Sequence, residues 1–275
     1  MILSGARIGS TVATGKVDKG WAVVTGASSG IGRAFARELA RRGYSVLAVA
    51  RRRERLQALI KETASGSGQI EPLLADLQTE EGIASVVRRV ESIGDIELLI
   101  NNAGIATAGD FVGAKLDDEM GAIRLNIGAV VSLTHQILGG MVQRRRGAVI
   151  NIASVVAFQP FPHFAVYAAS KAFVLSFTEA LAEELKGTGV RILALCPGSV
   201  KTEIDVFAHN EGLLGKLPSL TAEQVVQTGL QALERGRTVK VVGALNQFVP
   251  FLNRLAPRQT IRWLVGLSAK APTVQ

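Results

Sequence analysis

From residue 20 onward, short apolar runs alternate with longer stretches in which apolar positions recur every three or four residues. The runs Trp21–Thr25, Ser45–Ala50 and residues 70–75, 97–101, 148–153, 190–196 and 239–243 read as strands. They are too short and too evenly apolar for amphipathic helices, which suits strands covered on both faces. The amphipathic segments between them predict helices, and that βαβ alternation implies a parallel sheet with a helical layer on each side. The expected fold class is therefore α/β: a doubly wound parallel sheet of about seven strands in a single domain. Pro72 lies inside the third strand and cannot donate to a ladder, which sends that strand to an edge. Strand order 3-2-1-4-5-6-7 meets this requirement, and it opens a ligand crevice where the winding reverses, beside strands one and four.

Three segments fall outside this pattern. Residues 1–19 lack periodicity and read as a flexible N-terminal extension, leaving 20–243 as the domain. Within it, residues 205–219 interrupt the alternation after the sixth strand and are a candidate substrate lid. The tail, 244–275, sets Phe251, Leu252, Leu255, Ile261, Trp263 and Leu264 among Arg254, Arg258 and Arg262, with Pro250 and Pro257 as interruptions. Packing on the body or on another subunit is the expectation for it, with a surface-lying amphipathic segment as the alternative.

Composition narrows the function classes. A chain of 275 residues, 48% hydrophobic and 20% charged, suits one folded domain with a sizeable core. Its net charge of +8 raises nucleic acid as a partner. Yet Arg51-Arg52-Arg53 and Arg144-Arg145-Arg146 are short clusters without interleaved aromatic residues, so no nucleic-acid partner is expected. The lone Cys196 sits in an apolar run, reads as a buried thiol, and suits a reducing, cytoplasmic setting. No uninterrupted apolar stretch has the roughly 18 residues of a membrane span, and the start lacks a signal-like core. His135, His163 and His209 show no metal-ligand spacing, so no metal is expected.

The chemistry lies in two constellations. The first strand runs into Gly26-Ala27-Ser28-Ser29-Gly30-Ile31-Gly32 and then a helix, the order in which backbone N–H groups and a helix N-terminus cradle a pyrophosphate. After the second strand, where a carboxylate would take a ribose 2′-hydroxyl, stand Ala50, Arg51 and Arg52. Those arginines suit a 2′-phosphate, so NADP(H) is expected over NAD(H). Asp76 after strand three is read as an adenine contact, or else as an N-cap or turn residue. Downstream come Asn126, Ser154, Tyr167 and Lys171. A helix brings Tyr167 and Lys171 onto one face, where the ammonium favours the phenolate over its usual pKa of ~10.

With Asp76-Leu77, Asn101-Asn102-Ala103-Gly104 and Pro197-Gly198 added in order, residues 20–243 resemble the short-chain dehydrogenase/reductase family, in its compact single-domain form. The resemblance implies a Rossmann fold, with Tyr167 as the general acid or base and Ser154 bonded to the same substrate oxygen. Lys171 would hold the ribose and tune Tyr167, while Asn126 would position a relay water. The nucleotide would lie along Gly26, Ser28, Ser29, Gly30, Ile31, Gly32, Arg51, Arg52, Asp76, Leu77, Asn102, Ala103, Gly104, Tyr167, Lys171, Pro197, Gly198, Val200 and Thr202. The helices after strands four and five would make a homodimer or homotetramer. The expected activity is NADP(H)-dependent hydride transfer at the carbonyl or alcohol carbon of a fairly apolar ketone, aldehyde or secondary alcohol. Apolarity rests on Val155, Val156, Phe158, Phe161 and Phe164, with Leu213, Leu214 and Leu217 in the candidate lid; His163 lies in the same serine-to-tyrosine segment. The alternative is an NADP(H)-holding redox sensor without turnover.

Overall fold

The computed structural model describes residues 19–64, 68–203 and 219–268. The N-terminal extension, apart from Lys19, and the candidate lid, apart from Ser219, lie outside the described residues. The chain forms one seven-stranded sheet, β1 (Trp21–Thr25), β2 (Ser45–Ala50), β3 (Gln69–Leu74), β4 (Ile96–Asn101), β5 (Gly147–Ile152), β6 (Val190–Pro197) and β7 (Val239–Val242). All neighbours pair in parallel, in the order β3-β2-β1-β4-β5-β6-β7. Pro72 sits opposite Ala48 on β3, the edge strand, as the missing N–H requires.

Side-chain alternation along the strands sorts the core into layers. Ala22, Val24, Ala48, Ile100 and Ile150 face one side, where α1 (Gly30–Arg41) contributes Phe35 and Leu39, and α7 (Ala222–Glu234) contributes Val226 and Leu230. Val23, Leu47, Leu99 and Val149 face the other, against Val86 of α3 (Glu80–Ile93) and Leu133, Ile137 and Met141 of α5 (Ala129–Gln143). The remaining helix of the first half, α2 (Arg53–Thr63), buries only Leu56 and Leu59. Strands buried on both faces explain the continuous apolar runs.

Two helical features position the site. α4 (Leu116–Ile123) passes into α5 through a π-helical turn, Arg124–Gly128, that carries Asn126. The combined helix Leu116–Gln143 is long and apolar enough to cross a membrane, and Leu125, Ala129, Leu133, Ile137 and Met141 along it are buried in the core against the sheet. α6 (Ala165–Glu184) follows β5 and a 3-10 turn, Val155–Phe158, and carries Tyr167 and Lys171. Beyond β7 the tail forms α8 (Phe248–Leu255) and α9 (Arg258–Ser268). Pro250 falls in the first turn of α8, where its missing N–H costs nothing, and Pro257 separates the two helices.

Candidate active site

The glycine loop lies at the carboxyl end of β1, and its geometry is set by close approach. Gly26 has φ +67°, and a Cβ on Gly32 would collide with the Gly26 carbonyl and the Asn102 amide, so both positions exclude a side chain. Asn102 closes the crevice floor. Its side chain donates to the Thr25 carbonyl (2.9 Å), while the Thr25 hydroxyl accepts from the N–H groups of Asn102 and Ala103, each at 2.9 Å. At the start of α1, Ser29 makes no side-chain cap and the first turn has no acidic residue, so the positive helix end is left for an anion. These features fit a dinucleotide pyrophosphate.

At the end of β2 the Arg52 guanidinium reaches back to the loop, donating to Ser28 Oγ (2.9 Å) and Ser29 Oγ (2.8 Å). It also pairs with Glu203 Oε2 at 2.8 Å, and Arg55 pairs with the other carboxylate oxygen. Bonds from Arg55 and then Arg52 hold the Glu203 carboxyl down at about 2. Sequence reasoning did not single out Glu203 or Arg55; an acid six places past the end of β6 carries no sign that the fold will seat it beside the end of β2. Arg51 is more exposed and lies 3.8 Å from Asp76 Oδ2. Asp76 itself makes a turn, Oδ1 accepting from the Gln78 N–H at 3.0 Å, and Thr79 rather than Asp76 caps α3. Its place on the cleft wall keeps the adenine contact open to it.

The proton-transfer residues gather where β5 ends. Ser154, 5% exposed, caps the following 3-10 turn by accepting from the Val156 N–H (3.3 Å). A hydroxyl keeps its proton and a second lone pair in that arrangement. Tyr167 and Lys171 occupy one face of α6, with the ammonium 5.8 Å from the tyrosine ring centre. Lys171 Nζ donates to the Ile152 carbonyl (2.9 Å), and burial pushes its pKa down to about 8. Cys196, 0% exposed on β6, is pushed up to about 12 by burial, the inert thiol expected of it.

One cleft is lined by every residue of the sequence-derived nucleotide set except Gly32, which lies beneath it, together with Ser154. Asn126 stands behind the wall instead. Its Oδ1 accepts from the Ile105 N–H (3.0 Å), and its Nδ2 donates to the Ile105 carbonyl (2.9 Å) and Ser170 Oγ (3.0 Å). Gly104 makes the gap between Asn126 and Lys171: a Cβ there would sit 3.1 Å from Asn126 Oδ1 and 3.5 Å from Lys171 Nζ. A buried chain missed in the sequence braces this region, Asn101 donating to Thr134 Oγ1 (2.9 Å) and Asn151 Oδ1 (2.8 Å), and Asn151 donating to Thr178 Oγ1 (2.9 Å).

The segment between serine and tyrosine reads differently in the structure. Val155, Val156, Phe161 and Phe164 are core side chains, the two phenylalanines packed edge to face at 5.5 Å, so they no longer speak for an apolar substrate. Only Phe158 among the five is partly buried. His163, at φ +64°, bonds Asp110 Oδ1 at 2.9 Å and ties the 109–110 loop to this segment. Leu213, Leu214 and Leu217 lie outside the described residues.

A parallel sheet with a phosphate-type loop at its switch point, joined in one cleft to a Tyr–Lys pair, defines a nucleotide-dependent oxidoreductase of the Rossmann class. The family model for short chain dehydrogenases matches residues 20–211, and the chain belongs to that family. It is 42% identical over 186 residues to a short chain dehydrogenase of Pseudocercospora fijiensis, a match spanning 66% of this chain and 60% of that protein. It is 33% identical over 220 residues to mouse 17-beta-hydroxysteroid dehydrogenase type 3, covering 78% of this chain and 70% of the relative. A short-chain dehydrogenase from Sphingobium yanoikuyae, solved in complex with NADPH, superposes with a TM-score of 0.75 at 29% identity, over 93% of this chain and 98% of that one.

Proposed function

We propose that this protein is an NADP(H)-dependent oxidoreductase acting on the carbonyl or alcohol carbon of a fairly apolar ketone, aldehyde or secondary alcohol. The observation that carries the reading is the single cleft that joins Arg52 and the helix α1 start to Ser154, Tyr167 and Lys171. When bound, the nicotinamide supplies or accepts the hydride. In the reducing direction Tyr167 gives its hydroxyl proton to the carbonyl oxygen, which Ser154 holds by donating a hydrogen bond. Lys171 binds the ribose hydroxyls and stabilises the phenolate left behind. Asn126 keeps a second Oδ1 lone pair beyond the one given to Ile105, and through the Gly104 gap it positions the water that returns the proton.

The preference for NADP(H) is supported by Ala50 at the ribose position and by Arg52 beside Ser28 and Ser29. An apolar substrate is supported by the likeness to a hydroxysteroid dehydrogenase. Purified protein offered NADPH or NADH with a panel of steroid ketones, medium-chain ketones, aldehydes and acyl thioesters should consume NADPH preferentially and favour the apolar carbonyls. Tight NADPH binding with no turnover on any of them would instead favour the sensor.

A homo-oligomer is part of the same proposal. Phe111, Val112, Leu116, Met120 and Phe173 are exposed on and around α4 and α6, an apolar surface suited to a second copy. Light scattering should give a mass at least twice that of one chain, and Phe173→Glu should lower it; a monomer at micromolar concentration would rule this out.

A further inference from the structure

We propose that α8 and α9 form a docking surface for an anionic lipid bilayer. Phe248, Phe251, Leu252 and Leu255 follow the spacing that puts side chains on one face of a helix, the stripe a globular helix turns inward. Here the stripe faces out, at 61%, 58%, 59% and 68% exposure. Toward the body α8 turns half-buried Val249 and Pro250 and Asn253, whose Nδ2 donates to the Phe158 carbonyl and to Gln159 Oε1, both at 3.2 Å. The next helix has the opposite division, burying Ile261 and Val265 in the core while Trp263 and Leu264 stand 63% and 53% exposed. α9 is thus anchored to the body, and the two helices together present an apolar outer surface.

Charge selects the occupant. Residues 244–275 contain Arg254, Arg258, Arg262 and Lys270 and no Asp or Glu. Arg258 and Arg262 are exposed beside the apolar side chains. A two-fold contact between copies would set this patch against itself, bringing like charges together with no carboxylate from the segment to pair them. A bilayer with anionic headgroups pairs Arg258 and Arg262, while the aromatic and leucine side chains enter the interface and Trp263 rests at headgroup depth. Attachment is then peripheral, lying on the membrane rather than crossing it.

The test is flotation of the full chain with vesicles of phosphatidylcholine alone and of phosphatidylcholine mixed with phosphatidylglycerol. Binding to the mixed vesicles should exceed binding to the neutral ones at least about tenfold, and should fall in high salt as the charges are screened. The double variants F251S/L255S and R258E/R262E change only exposed side chains, so both should keep the wild-type unfolding temperature and lose vesicle binding. Trp263 fluorescence should shift to the blue on the anionic vesicles, and Trp263→Phe should remove the shift. Failure of the wild type to float, or equal binding by the charge-reversed variant, overturns the proposal. So does loss of an oligomer in F251S/L255S without any vesicle binding by the wild type, which would assign the face to a second copy.

Discussion

Replacing Lys171 with methionine should produce a protein that turns over about 10²- to 10⁴-fold more slowly, the range for losing assisted proton transfer, and yet is more stable without its cofactor. The two effects share a cause. Burial lowers the Lys171 pKa from 10.5 to about 8, so at neutral pH the folded protein holds an ammonium out of water with one backbone carbonyl, that of Ile152, as its acceptor. A base with a depressed folded pKa binds fewer protons than its unfolded counterpart between the two values. Stability therefore rises with pH from about 8 towards ~10.4, and the penalty is fully present below that window, on the order of 3 kcal/mol. Methionine has a similar length and no charge, but it leaves the Ile152 carbonyl without its donor, a loss of about 1 kcal/mol. The net gain at pH 7 is about 2 kcal/mol, a rise of several degrees in Tm for a chain of this size. Calorimetry of cofactor-free protein at pH 7 and pH 10 checks it: the difference should be clear at the lower pH and vanish or reverse at the higher. Tyr167→Phe is the companion measurement, expected to lose a similar factor in turnover while its NADPH affinity stays within about twofold, because it removes the acid and leaves Lys171 on the ribose. A Lys171→Met protein less stable than wild type at pH 7 would mean that the ammonium is better solvated than its surroundings indicate.

How much of this was legible in the sequence depended on whether the signal was local. Strand positions, the edge placement of β3 from Pro72, the glycine loop and the Tyr167–Lys171 face are consequences of spacing along a few residues, and the sheet order and cleft follow them. The Asn101–Thr134–Asn151–Thr178 chain joins two strands to two helices, and no single polar residue in an apolar run reveals which other run it will meet. The π-helical turn at Asn126 is hidden for the same reason, since the register shift is imposed by the paired bonds to Ile105. The phenylalanines near Ser154 were ambiguous by composition: an apolar side chain beside a catalytic residue fits a pocket wall or a core equally well until its neighbours are known. In the tail the periodicity was visible, but the direction in which α8 turns its apolar stripe was not, because that is decided by Asn253 finding the Phe158 carbonyl.

Arg52→Ala should weaken NADPH binding by about 10- to 100-fold, the worth of a charge-assisted bond to phosphate, and leave NADH within about twofold. The reasoning rests on where the guanidinium already is: it lies against Ser28 and Ser29 at the ribose end of the cleft and holds a carboxylate, Glu203, much as it would hold a phosphate. The 2′-phosphate and Glu203 then compete for Arg52 and Arg55. Glu203→Gln removes the competing charge and should tighten NADPH about two- to fivefold, a modest factor because the pair is exposed to solvent and screened. Its pKa of about 2 keeps the wild-type carboxylate ionised, so this gain should be constant from pH 7 to pH 9, above the phosphate's second pKa of about 6. A combined titration of both cofactors against the wild type and the two variants separates the contributions. Equal weakening of NADPH and NADH by Arg52→Ala would show that the arginine braces the serine loop rather than reading the phosphate. An unchanged NADPH affinity in Glu203→Gln would show that the carboxylate moves aside at no cost, leaving the discrimination between the two cofactors to Arg52, Arg51 and the absence of an acid at Ala50.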